Sequence, residues 1–147
     1  MDVVATLVAP CPPAALFAWV DDLATYPRWL EIVTKAEPID GEAWAVDLRG
    51  RLGPLARSKR LRMTRTRHVE PEAVTFERAE LDGRDHSPWV LTADVASHPD
   101  GSVLEMALHY GGGLFGPVLE RVLRDEIERS RLRLLALITD GATPPTR

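Results

Sequence analysis

The feature that most constrains this chain is a change of period. From Ile32 to Gly112 apolar and polar residues alternate in runs broken by turn residues, whereas from about Leu114 to Thr139 apolar residues recur at helical spacing. Alternation marks strands with one buried face, and a period of 3.6 marks a helix with one apolar stripe. The signals Asp40-Gly41, Gly53-Pro54, Glu70-Pro71, Asp82-Gly83 and Pro99-Asp100-Gly101 cut the alternating region into six strands. These run from about Ile32 to Ile39, Ala43 to Leu52, Leu55 to Val69, Ala73 to Leu81, Ser87 to Ala96 and Val103 to Tyr110. A seventh, Val3 to Val8, ends at Pro10-Cys11-Pro12-Pro13, where proline can start a helix but not continue a ladder.

That helix is expected from Ala14 to Val20, with Leu16, Phe17 and Val20 on one side and Asp21-Asp22 as its stop. A second short helix is expected over Tyr26-Pro27-Arg28-Trp29-Leu30, with Thr25 as N-cap. The long final helix carries the stripe Leu119, Val122, Leu123, Ile127, Leu134, Leu137 and Ile138. It stops at Asp140-Gly141, and residues 140–147 read as a flexible tail. The order gives an α+β domain over residues 1–147, in which a seven-stranded curved antiparallel sheet needs a cover for its apolar face. The last helix is that cover. Alternation points Trp44, Val46 and Leu48; Leu61 and Met63; Val74 and Phe76; Trp89, Leu91, Ala93 and Val95; and Leu104, Met106, Leu108 and Tyr110 toward it.

Composition closes off several classes of function. At 147 residues with 45% hydrophobic content the chain suits one ordinary core. No apolar run approaches the roughly 20 residues that cross a bilayer, and the first residues carry no basic leader, so the expected location is the cytoplasm. A net charge of -4 argues against general nucleic-acid binding. Basic residues, 16 arginines and 2 lysines, concentrate at Arg57, Lys59, Arg60, Arg62, Arg65 and Arg67, which read as a strand face paired with acids such as Glu77, Glu80, Asp94 and Glu105. Cys11 is alone, and His68, His86, His98 and His109 lack the spacing of a metal site, so no metal is expected. Neither a GxGxxG nor a P-loop occurs, and no cofactor is expected. Gly111-Gly112-Gly113 reads as a flexible entry to the last helix.

Phe17-Ala18-Trp19-Val20-Asp21-Asp22-Leu23 followed by Tyr26-Pro27-Arg28-Trp29-Leu30, together with the order of elements, resembles the START-like superfamily. This is the SRPBCC, or polyketide cyclase/dehydrase and lipid-transport, group. Phe76-Glu77-Arg78, Asp82-Gly83-Arg84 and Leu108-His109-Tyr110-Gly111-Gly112 are similar to stretches of uncharacterised actinobacterial members. The resemblance covers nearly the whole chain and implies a helix-grip fold, in which a bent sheet grips the last helix around a hydrophobic tunnel. It further implies a small hydrophobic ligand, such as a lipid, polyketide or aromatic compound. Some members of the group are enzymes.

The expected pocket takes its walls from Trp29, Trp44, Leu61, Met63, Phe76, Trp89, Leu91, Leu108, Tyr110 and Leu119, with Arg65, Glu126 and Ser130 as its polar groups. Arg65 shares parity with Leu61 and Met63, while Glu126 and Ser130 project within the helical stripe. The two charged groups are expected to pair as an anchor for a ligand carbonyl, hydroxyl or carboxylate, because a buried guanidinium needs a partner. Arg78 and His109 join them only if the register slips by one. No catalytic residue is assigned. A non-catalytic binding or transport protein is the favoured reading, with a cyclase/aromatase-like enzyme acting in the same cavity as the alternative. A homodimer is compatible with the sequence.

Overall fold

The computed structural model describes residues 1–49, 59–111 and 116–145, with only the backbone at 116–119. Its elements follow in the order β1 (Asp2–Ala9), α1 (Pro13–Phe17), a 3-10 segment (Leu23–Arg28), β2 (Val33–Pro38), β3 (Ala43–Leu48), β4 (Lys59–Val69), β5 (Ala73–Arg78), β6 (Trp89–His98), β7 (Gly101–Tyr110) and α2 (Gly116–Thr139). All seven strands form one antiparallel sheet in the order β1-β7-β6-β5-β4-β3-β2, so the first strand is an edge beside the last. The sheet curls around α2. Register breaks near Val33/Lys35 in β2 and Arg65/Arg67 in β4 help it bend, because an extra residue on one strand increases local twist. No described helix is long and apolar enough to cross a membrane.

Two local expectations are corrected. Helix α1 covers five residues and ends at Phe17, after which Trp19 and Val20 donate to the Leu16 and Phe17 carbonyls in tighter, three-residue turns. The cap of the 3-10 segment is Asp22 and not Thr25: Asp22 Oδ1 accepts the Ala24 N–H at 2.9 Å. Thr25 is buried, and its hydroxyl proton is shared between the Trp19 and Asp22 carbonyls, each 2.8 Å away. The proposed start of β4 at Leu55, the residue Arg57, and Gly112-Gly113 lie outside the described residues.

Helix α2 ends as the sequence signals. Gly141 takes φ +75°, its N–H reaches the Ile138 carbonyl, and the Ala142 N–H reaches that of Leu137, which satisfies carbonyls the helix leaves over. The following residues lie against the body: Arg28 donates to the Thr143 carbonyl at 3.0 Å.

Cross-strand neighbours share a face, so the inner face can be read in rungs. One rung runs Arg65, Phe76, Leu91, Leu108 and Val3 across five strands; the next runs His68, Val74, Ala93, Met106 and Ala5. At the β3–β5 end this face is filled by aromatic packing. Phe76 meets Tyr26 and Trp44 edge-on, with ring centroids 6.2 and 5.5 Å away, and Tyr26 packs on Trp29 at 4.7 Å. The polar tips of these rings are satisfied: Tyr26 Oη donates to Val20 O, Trp29 Nε1 to Trp19 O and Trp44 Nε1 to Asp22 Oδ1.

Burial, reinforced by the carboxylates of Asp21 and Asp22, holds the Tyr26 phenol well above its ordinary value of 10. The folded state therefore favours the neutral phenol more than the unfolded state does. Its contribution to stability is complete below about pH 10 and is lost as the pH rises toward the folded value. In urea unfolding followed from about pH 8 to 11, stability should fall more steeply for the parent than for Tyr26→Phe, which has no proton to lose. Equal slopes would show that another group governs alkaline unfolding.

Candidate ligand-binding cavity

At the other end of the same inner face the packing is incomplete. Leu91, Met106, Leu108 and Tyr110 point inward by parity yet stay only partly buried, whereas Phe76 and Val74 on the neighbouring strand are almost fully enclosed. Over this region lies a cavity of about 80 Å³. Its floor is Val3, Ala5 and Leu7 of β1, Leu104, Met106 and Leu108 of β7, and Leu91 of β6. Trp29, Leu30 and Ile32 close one side, and Leu123, Glu126, Ile127, Ser130, Arg131 and Leu134 of α2 form the roof. Exposed Thr6 and half-buried Arg131 mark the gap between the β1 edge and α2.

Helix geometry selects the roof. Leu123, Glu126, Ile127, Ser130 and Leu134 recur at spacings of three and four and so share one face. The helix is tied down from its solvent side: Arg129 and Arg133 pair with Glu31 at 3.4 and 3.5 Å, and Arg133 also donates to the Arg28 carbonyl. Ser130 Oγ accepts the Glu31 N–H at 3.4 Å. Glu126 is 2% exposed. One carboxylate oxygen, Oε1, takes a 2.6 Å bond from Arg129 Nη2; the other, Oε2, is buried without a hydrogen-bond partner among the described residues. Arg131 is held outward by Glu128 at 2.7 Å.

The residues expected to form the pocket therefore separate. Trp29, Leu91, Leu108, Glu126 and Ser130 line the cavity. Trp44, Leu61, Met63 and Phe76 are in the filled aromatic and aliphatic core, not on the lining; Tyr26 of the 3-10 segment packs on Phe76, and Asp22, its cap, receives Trp44 Nε1. Trp89 and Tyr110 pack on each other with tilted rings, centroids 4.6 Å apart, two residues along β6 and β7 from Leu91 and Leu108, and also lie off the lining. Leu119 lies outside the described side chains.

The expected pair between Arg65 and Glu126 does not form. The Arg65 side chain is nearly buried, but it pairs with Glu42, donates to the Asp21 carbonyl at 2.7 Å and sits over the Trp44 ring. Its place on the rung explains this. Phe76 stands between Arg65 and Leu91, so two strand spacings, roughly 10 Å, separate Arg65 from the cavity floor. Arg78 faces inward with no slip of register, since it shares parity with Val74 and Phe76, and Glu80 pairs with it at 3.0 Å. Burial would push Glu80 up, but the Arg62 N–H and the Arg78 guanidinium outweigh it and hold the carboxyl below its usual range. His109 faces out and meets Asp2 at 2.9 Å. Among the described residues the basic strand meets Glu80 at the Arg62 N–H, Asp47 at Arg60 and Glu42 at Arg65.

A second constellation was not legible from histidine spacing. Asp21 Oδ2, His68 Nε2 and Glu70 Oε1 lie within 4.8 Å of one another beside a shallow groove bordered by Pro144 and Pro145. His68 stacks on Phe17 at 5.8 Å and contacts Asp21 at 3.2 Å.

Residues 1–138 match the family model described as polyketide cyclase/dehydrase and lipid transport. No curated protein matches the chain in sequence. Among solved structures, a START superfamily protein from Mycobacterium smegmatis superposes with a TM-score of 0.72 at 14% identity, covering 96% of this chain and 99% of that one. Protein CV1439 from Chromobacterium violaceum gives 0.69 at 15% identity over 92% and 96% of the two chains. The protein Ara h 8.0201 gives 0.63 at 13% over 95% and 98%. At these identities the likeness establishes the fold: an α+β helix-grip of the START-like kind.

Proposed function

This chain belongs to the polyketide cyclase/dehydrase and lipid-transport family, and we propose that it binds a small hydrophobic ligand in the cavity between β1, β6, β7 and α2. The observation that carries the reading is the cavity lining. Seventeen residues face it, and apart from Thr6, Glu126, Ser130 and Arg131 all are apolar. Concave apolar space with a few placed polar groups is how proteins hold small molecules. The sheet and helix leave it unfilled although the same inner face is packed tight on the next strand, β5.

The space is small as it stands. A dry apolar cavity of about 150 Å³ can hold benzene, so at about 80 Å³ the lining must adjust to take a larger ligand. Leucines and Met106 supply that freedom, since unbranched and γ-branched side chains can change rotamer without moving the backbone. Binding is favoured over acid–base chemistry by how the ionisable groups are engaged. Glu126 is held by Arg129, Arg131 is turned to Glu128, and Arg65 and His109 have partners elsewhere.

Ala5 lies on the floor, opposite Met106, and is the smallest side chain lining the space. Ala5→Leu should fill the cavity from below. Calorimetric titration with 1-octanol should give binding with a negative heat-capacity change for the parent and at least about tenfold weaker binding for the variant. The melting temperature should hold or rise, as cavity filling commonly stabilises. If Ala5→Leu binds octanol as the parent does, the ligand does not lie here.

A further inference from the structure

Glu126 presents a contradiction inside the cavity. A carboxylate oxygen buried without a partner is costly, and natural cores rarely keep one. Here the side chain is 2% exposed, lines an otherwise apolar roof, and commits one oxygen to Arg129 while Oε2 meets no donor among the described residues. The other polar groups nearby do not relieve it. Ser130 Oγ receives the Glu31 N–H, and the Arg131 guanidinium is turned to Glu128. A carboxylate can only accept hydrogen bonds, so whatever satisfies Oε2 must donate one.

We propose that Glu126 selects, among apolar ligands, those carrying a hydroxyl or amine hydrogen, and disfavours ketones, ethers and carboxylates of the same size. This deepens the ligand-binding reading above and rests on it. Arg129 holds Oε1 from the solvent side of α2, which fixes the carboxylate and leaves Oε2 for the ligand. The ligand's donor then offsets a desolvation cost that the protein already bears in the free state. A ligand with only acceptors leaves that cost in place and adds the desolvation of its own carbonyl. An anionic head group would also meet the carboxylate's negative charge.

The test is calorimetric titration of the full chain with 1-octanol, 2-octanone and octanoate, which share an eight-carbon skeleton and differ in the head group. The parent should bind octanol about tenfold or more tightly than octanone, the span expected for a hydrogen bond to a charged group. Octanoate should bind weakest. In Glu126→Leu, octanol and octanone should come within about twofold of each other while both still bind. Glu126→Gln, whose amide oxygen must accept from Arg129 and whose NH2 therefore takes the place of Oε2, offers the ligand a donor; it should abolish or reverse the preference for octanol over octanone and serves if the leucine variant misfolds. Equal binding of octanol and octanone by the parent would mean that Oε2 is satisfied by other means, such as a trapped water, and overturns the proposal alone. Tightest binding by octanoate would assign head-group recognition to Arg131 and also overturn it. Binding of none of the three overturns the cavity reading and the proposal with it.

Discussion

Phe76→Ala should lower the unfolding free energy by about 4 kcal/mol and the melting temperature by roughly 10 °C or more. Phe76 is fully enclosed and is the ring on which Tyr26 and Trp44 both pack edge-on. Its loss removes the transfer free energy of the ring, leaves a void, and undoes two aromatic contacts worth about 0.5 to 1.5 kcal/mol each beyond burial. Leu91→Ala, its direct neighbour on the same rung, should cost about half as much. Leu91 already borders open space, so less packing is lost around it. Chemical denaturation of the two variants side by side checks this. Equal costs would mean that the filled and open halves of the sheet are not energetically distinct.

Gly101→Ala should cost at least about 3 kcal/mol, the second large effect. Gly101 opens β7 with φ +136°, a conformation that side-chain-bearing residues rarely take, and an added Cβ would lie 2.3 Å from the Ala9 carbonyl oxygen and 2.8 Å from the Cys11 nitrogen. Both neighbours are backbone and cannot rotate away, so the strain must be relieved by parting β1 from β7. Gly83→Ala is the contrast. It too has a left-handed φ, +72°, but nothing lies within 4 Å of its added Cβ, so about 1 to 2 kcal/mol of conformational strain is expected. If the two substitutions cost the same in urea unfolding, the close approach at Gly101 contributes nothing.

Most of the fold was legible because it rests on periodicity. The alternation of β5, β6 and β7 put Phe76, Leu91, Leu108 and Tyr110 on the inner face, and the helical stripe put Glu126 and Ser130 beneath α2, using only spacing and side-chain direction. Two things escaped that logic. The irregularity between Arg65 and Arg67 makes β4 lose step, so His68 and not Arg67 shares the inner face with Arg65. This is how an imidazole comes to stack on Phe17 beside Asp21, and simple parity assigns it to the wrong side. The other is which half of the inner face is filled. That depends on where the 3-10 segment lands: it meets β3 through Asp22, which caps the segment and also receives Trp44 Nε1, and β5 through Tyr26 against Phe76. No spacing along the chain encodes that meeting. For the same reason the sequence does not reveal Arg65's partner: Glu42, in the turn just before β3, lies beside it in space.

The division of the inner face has a consequence for how such a protein can diversify. The interlocked aromatics around Phe76 are buried, so substitutions there are expected to cost the most stability. The lining of the cavity is aliphatic, partly buried and loosely filled, so changes at Leu91, Met106 or Leu108 alter the shape offered to a ligand at modest cost to folding. On the proposed reading, single substitutions at these positions should change ligand preference before they unfold the chain. A library confined to those three positions, with the Phe76 cluster untouched, is where altered binding would be found.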